Sequence, residues 1–491
     1  MKRIKKIYFS QKILLWFLFA FLVSGCETLD EDPQSFISPD KYYTSVGQGE
    51  TILASSLSFL WNLWTPGGYG ENYYYFQLVS DQFYKQTLVI PEDNGDIMWV
   101  AHYKSITNLN NALKSIAEGS MQGAQEDIDR LVGQLKFVRA FNYFALVRLF
   151  GGVPLYTETS GEPLENPLPR ATIAEVYDQI IADLIEAKKF LPVSWPDGQE
   201  ARIKKVAAQA LLTKVYLTRA TAPLNQSEYF KMARDEAFAI MNGESAPTLI
   251  HDVHDVFKYE NKYSSEFIFS FNSTSLDRAI SARSFGPSTV LDGWGDFPAS
   301  VKLDTEWPDQ PRKDAYLRTE ISDEDGTVFP YQTWGPPAPC LKKFSQPYVP
   351  KDEYENYNDT WNLPVLRYPD VLLMFAEAEN LLNGGPTPAA VDAVNQVIDR
   401  ANDWEINPNY PRLTLAMSMQ EFDDAVIRER NFELCFEFDR MYDLYRKRIL
   451  DRESPLHVQN FSENDYLWPI PQDDLRQNPL LTQNPGYSSP N

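Results

Sequence analysis

The chain has 491 residues, of which 68 are acidic and 45 basic, giving a formal net charge of -23. A surface this negative repels phosphate backbones and sets nucleic acid aside as a partner. Rings are frequent, with 11 Trp, 27 Tyr and 29 Phe; several fall in Gly/Pro-rich stretches where helices do not form, so they are expected to point outward, towards ligands.

Lys2, Arg3, Lys5, Lys6 and Lys12 lead into the apolar run Ile13 to Val23. That run is shorter than the roughly 20 residues a spanning helix needs and suits the core of a signal peptide. Its ending, "LVSGC", resembles a bacterial lipobox, which implies removal of residues 1–25 and lipidation of Cys26 as the new N-terminus. Losing the five cations takes the formal charge from -23 to -28. The alternative is an ordinary signal peptide that happens to precede a cysteine. Glu27, Asp30, Glu31 and Asp32 make 26–40 an acidic tether, similar to the surface-export signals of Bacteroidota lipoproteins. Residues 41–491 read as one body, with no second apolar run of membrane length.

Helical periodicity then dominates. Val100, Tyr103, Ile106, Leu109 and Leu113 form one stripe over 98–119, and Leu131, Leu135, Val138, Ala145 and Leu149 form another that stops at Gly151-Gly152. Joined by a short polar turn, the two make a helical hairpin. The pattern recurs at 172–192 with 204–220, and at 368–385 with 387–402. Thr172 and Pro369-Asp370 act as start signals, Leu191-Pro192 and Gly384-Gly385 as stops. Paired helices of this length resemble tetratricopeptide repeats, separated by long insertions. Between about 245 and 365, "SEFIFSFN" is strand-like, and Gly, Pro, Trp and Asp then become frequent without periodicity. The expected fold is mainly α: helical hairpins in a right-handed scaffold, carrying a loop-rich, short-strand insertion.

The stretches "FVRAFNYFALVRLFGGVPLY", "LRYPDVLLMFAEAEN", "IRERNFELCFEFDRMYDLYRKR" and "YLWPIPQDDLRQNPLLTQNPGY" together resemble the SusD/RagB family of outer-membrane nutrient-binding lipoproteins, in order from Cys26 to Tyr487. Gly152, Pro369 and Phe438 depart from the family's usual residues, and Phe438 is expected to alter a turn between two helical segments. The resemblance implies a SusD-like fold and a surface lipoprotein, lipid-anchored in the outer membrane. It also implies that an oligosaccharide is bound without cleavage and passed to a SusC-like TonB-dependent transporter. The alternatives are a RagB-like peptide receptor and a glycoside hydrolase.

No nucleophile elbow, zinc helix or phosphate loop is present, and no metal site or cofactor is read. His251 and His254 lie in a polar connector that reads as solvated. Glu429, Glu433 and Glu437 recur every four residues, with Arg430, Arg440 and Arg446 among them, which reads as structural ion pairing. "WPIP" and "QNPGY" read as clasps. Cys435 reads as a small buried hydrophobe; whether it meets Cys340 is open. A sugar site needs rings to stack on and a few polar groups to orient the ligand. The ring-rich candidates are 61–76, 80–84, Trp99, 292–298 and 331–337, from which Asp81, Trp99, Trp294, Tyr331 and Trp334 are singled out. By resemblance to starch-binding members, Trp99 is the tryptophan at the helix start and His102 the polar contact one turn on. Trp99 equally fits the core of its hairpin. Gly293 and Gly295 leave the Trp294 ring little to pack on, whereas Trp61 and Trp64 could lie under the Gly67-Gly68 loop.

Overall fold

Apolar residues three and four apart pair into helices in a computed structural model that describes residues 43–64, 79–84, 92–161, 165–273, 295, 297–322, 325–343, 362–454 and 462–489, the side chains of 92–94 excepted. Cys26, the acidic tether and Trp294 lie outside these residues. Helix α1 is Val46–Trp64, α2 Glu92–Ala117, α3 Gln125–Phe150, α4 Ile173–Phe190, α5 Lys205–Ala220 and α6 Tyr229–Met241. Each packs on the next, and α1 also leans on α3. Helix α1 carries no counterpart among the periodic segments expected from sequence, because its last turn holds Trp61 and Trp64 and reads as the start of a ring-rich loop.

The insertion holds strand β1 (Phe267–Phe271), short helices α7 (Val301–Glu306) and α8 (Pro311–Tyr316), and strands β2 (Leu317–Arg318), β3 (Glu320–Ser322), β4 (Val328–Pro330) and β5 (Cys340–Leu341). Strand β6 (Leu363–Arg367) runs straight into α9 (Tyr368–Asn383), followed by α10 (Pro388–Ala401), α11 (Met419–Glu433), α12 (Arg440–Lys447), α13 (Leu450–Glu453) and α14 (Gln472–Gln477). The strands pair antiparallel in twos, β1 with β6, β2 with β5 and β3 with β4. The described residues are thus mainly helical, as expected, and Tyr43–Asn491 form one compact unit.

Several boundary signals act as chemistry requires. The Thr172 hydroxyl accepts from the Glu175 amide while the Glu175 carboxylate accepts from Thr172, a reciprocal cap on α4. Pro369 sits in the first turn of α9, where a missing N–H costs nothing. At Gly152 a Cβ would stand 2.2 Å from the Ala171 carbonyl oxygen, so no larger residue fits there without a backbone shift. Phe438 adopts φ +73 just before α12 and sets its ring edge-on to Trp64, 5.4 Å away.

The core is unusual in holding charge. Arg312, Lys343, Arg367 and Arg400 face Glu266, Glu429, Glu433 and Glu437, four cations against four carboxylates. Glu433 touches three of the arginines, at 3.0 Å from Arg312, 2.9 Å from Arg367 and 2.6 Å from Arg400. The three glutamates of α11 and its end are therefore structural, as anticipated, but their partners are remote in sequence. Arg430, Arg440 and Arg446 serve other carboxylates: Asp370 and Asp443, Asp81, and Glu377 and Asp443. Cys340 and Cys435 are buried free thiols, each raised by burial, to about 12 and about 11.

The C-terminal segment closes over the end of α3. The Trp468 amide donates to the Leu149 carbonyl at 2.8 Å, and the Asn484 side chain to the Phe150 carbonyl at 3.0 Å. Arg170 donates to the Thr482 carbonyl and to Asn484 Oδ1, both at 2.8 Å.

Candidate functional site

Along α1, residues Glu50, Leu53, Ala54, Leu57, Ser58, Trp61 and Asn62 recur at spacings of three and four and so share one face. With Phe269–Asn272 opposite, Gln134 of α3 and the bend at 201–203, this face lines an open cleft of about 590 Å3. The Trp61 indole N–H donates to the Asn272 carbonyl at 3.2 Å, and the Asn272 amide donates to the Ala201 carbonyl at 3.3 Å, so ring and amide are held in place. At the rim Arg202 grips Glu50 with two bonds of 2.6 Å and stacks 4.8 Å from the Trp195 ring. Ser270 Oγ is buried without a hydrogen-bond partner. The wall thus offers a half-buried indole, apolar side chains, amides and a pair of charges that cancel. Such a surface suits a neutral ligand with hydroxyl groups and an apolar face better than an ion.

The residues singled out from sequence fall elsewhere. Trp99 is 3% exposed, set against Tyr103 at 4.9 Å and edge-on to Phe150 at 5.1 Å; its indole N–H serves Asp474. His102 is wholly buried, with Nδ1 2.8 Å from Asn142 Oδ1. The Asn142 amide already donates to Ser105 and Val138, so the imidazole is the donor there. Burial lowers its pKa to about 4, which leaves it neutral, with Nε2 unpartnered. Both side chains face α3. Asp81 is 2% exposed and held by Arg440 through two 2.7 Å bonds; burial pushes its carboxyl up, but Arg440 and Lys302 outweigh this and hold it below the ordinary range. Trp334 is 4% exposed, packed with Ile321 and Cys340, its N–H on the Phe329 carbonyl at 3.1 Å. Half-buried Tyr331 lies beside it, ring centres 6.5 Å apart. The structure therefore joins Trp99 to His102 through α3, and Tyr331 to Trp334 at the β3–β4 pair, while Asp81 is tied to Arg440 of α12. Gln134 and Phe150 lie 16 residues apart on α3, so the cleft stands about 24 Å along that helix from the ring Trp99 meets. The helical stripe from Glu50 to Asn62 is the signal in the sequence that marks the cleft.

Two family models match the chain, over residues 65–217 and 330–487, described as "Starch-binding associating with outer membrane" and "SusD family". The chain belongs to the SusD family. It is 27% identical to SusD-like protein P2 of Formosa agariphila, over 94% of this chain and 97% of that one. The fold matches a SusD homologue from Bacteroides thetaiotaomicron with a TM-score of 0.76, at 22% identity, over 91% of this chain and 98% of that one. It also matches surface glycan-binding protein A from Bacteroides uniformis, with a TM-score of 0.71 at 24% identity, over 89% and 99% of the two chains. Among the described residues no helix of this SusD-family protein is long and apolar enough to cross a membrane.

Proposed function

We propose that this protein is a glycan-binding lipoprotein of the outer membrane that faces the cell surface and delivers captured oligosaccharide to a SusC-like TonB-dependent transporter. Membership of a family described as starch-binding and outer-membrane-associated carries the reading. In it, Cys26 is the acylated residue and supplies the anchor. The cleft beside α1 takes a neutral sugar, with Trp61 as the stacking ring and Asn62, Asn272 and the Glu50–Arg202 pair meeting hydroxyls. Trp294 and Tyr331 are proposed ring contacts of a further face, with Trp334 packed beside Tyr331; Trp99, His102 and Asp81 are enclosed elsewhere in the fold and are proposed as structural. No step of bond cleavage is proposed.

Calorimetric titration of the form lacking residues 1–26 against neutral oligosaccharides tests the reading. Losing a stacked ring removes roughly 1.4 kcal/mol, so Trp61→Ala lowers affinity at least about tenfold while the thermal midpoint holds. Trp294→Ala alongside it tests the second face. Oligopeptides binding where no glycan does overturns the reading in favour of a peptide receptor. Full affinity in folded Trp61→Ala removes the cleft from it. For the anchor, Cys26→Ala is expected to leave the outer-membrane fraction; its retention there without the transporter speaks against lipidation.

A further inference from the structure

Every fully buried arginine among the described residues is matched to carboxylate, whereas half-buried Arg148 on α3 has no carboxylate partner among them. Its guanidinium carbon lies 3.8 Å from the Phe144 ring centre and 3.6 Å from that of Tyr442, so rings cover both faces. Nε donates to the Phe144 carbonyl at 3.0 Å. The two terminal nitrogens have no acceptor among the described residues, and no carboxylate comes within salt-bridge distance. A guanidinium stacked in this way can present only its edge, where parallel N–H bonds match the two oxygens of a carboxylate. Because Arg148 is half-buried, these donors open onto the neighbouring cavity, where an incoming acceptor can reach them.

That edge lines a cavity of about 140 Å3 shared with Tyr177, Tyr445, Tyr466 and Arg448. The Tyr177 hydroxyl has no hydrogen-bond partner among the described residues. Burial holds its pKa far above the ordinary value against the pull of Arg148 and Arg219, so it remains a donor. Arg448 is held in a left-handed conformation, φ +55, 3.6 Å over the Tyr466 ring. Glu463, whose side chain is 83% exposed, stands 3.7 Å from Arg448 and leaves the Arg148 charge unanswered. Arg446, also in the lining, is already spent on Glu377 and Asp443.

We propose that this cavity is a carboxylate-binding site, with Arg148 as the fork and Tyr177 as the second donor, sized for a small acid or one acidic sugar residue. Its volume is below the several hundred Å3 of pockets that enclose larger ligands. In a chain of net charge -23, general attraction does not bring an anion here, so the recognition must be local. The acidic sugar as carrier rests on the glycan reading; the carboxylate recognition does not.

The test titrates the purified full-length protein with glucuronate, glucose and acetate, following the Tyr177 and Arg148 resonances by NMR. Glucuronate is expected to bind and glucose not; acetate equal to glucuronate keeps the site and makes free acids the source. Arg148→Gln is expected to lower affinity at least tenfold, and Tyr177→Phe several-fold with an unchanged thermal midpoint. Glucose matching glucuronate, or neither acid shifting these resonances, overturns the proposal. Undiminished glucuronate binding in folded Arg148→Gln does the same; if that variant does not fold, undiminished binding in Tyr177→Phe decides against the site. Neutral-oligosaccharide binding and its loss in Trp61→Ala are read separately, so failure of the glycan reading leaves this outcome standing.

Discussion

Arg367 makes five hydrogen bonds at 2.7–2.9 Å, to the carboxylates of Glu266, Glu433 and Glu437 and to the Glu433 carbonyl. No water is needed to satisfy it, and removing it strands buried carboxylates that cannot reach solvent. Arg367→Met keeps most of the volume and loses the charge, so it is expected to destabilise the fold by about 3–5 kcal/mol. Adding Glu437→Gln to that variant should recover part of the loss, since one stranded charge is gone and the two sites share a partner. Urea unfolding midpoints measure both; a loss under about 1 kcal/mol for the single variant would show that the cluster tolerates an unpaired carboxylate. Neither the cost nor the partners could be read along the chain. The Glu429 and Glu433 spacing signals a charged helical face, but Arg312 lies 117 and 121 positions from them and Arg400 lies 134 from Glu266.

Elements repeat this division between local and remote. The hairpins α2–α3, α4–α5 and α9–α10 are legible because 3.6-residue periodicity, the Thr172 cap and the Gly384 stop are all written in neighbouring residues. Strand β1 is legible for the same reason. Helix α1 is not, since the eye is drawn to its terminal tryptophans and away from the stripe that begins at Glu50. Only one wall of the cleft is local: Trp61 falls within a stretch marked as ring-rich, whereas Asn272 and Arg202 arrive from elements 211 and 152 positions from their partners Trp61 and Glu50. Trp99 shows the limit of a motif. A tryptophan expected at a helix start, and found two turns inside α2, has the same letters whether it meets solvent or, as here, Phe150. The choice is made by the α3 face packed against it, which carries no mark at position 99.

For the molecule as a whole, the interior charge makes stability depend on pH in two opposite ways. A second cluster sets Lys214, Arg430, Arg446 and Lys447 against five carboxylates, Asp370, Glu377, Asp423, Asp439 and Asp443. With one carboxylate in excess, burial and the neighbouring acids raise Asp423 and Asp439. Glu377 is pushed up by burial but pulled down further by Arg446 and Lys447, from 4.5 to about 2, and Glu433 is likewise depressed by its arginines. The raised pair takes up protons more readily folded than unfolded, so falling pH stabilises the fold through them. The depressed groups contribute above pH 4.5, and their contribution is lost as pH falls towards 2. The thermal midpoint is therefore expected to hold or rise slightly from pH 7 to about 5 and to drop steeply below about 4.5; a steady decline beginning at pH 7 would contradict the excess-carboxylate assignment. The clasp over α3 has a consequence in time. Carbonyls at Leu149 and Phe150 receive donors from Trp468 and Asn484, the latter 334 positions later. A ribosome has therefore made almost the entire polypeptide before the end of α3 can be closed, so until then water must meet those two carbonyls.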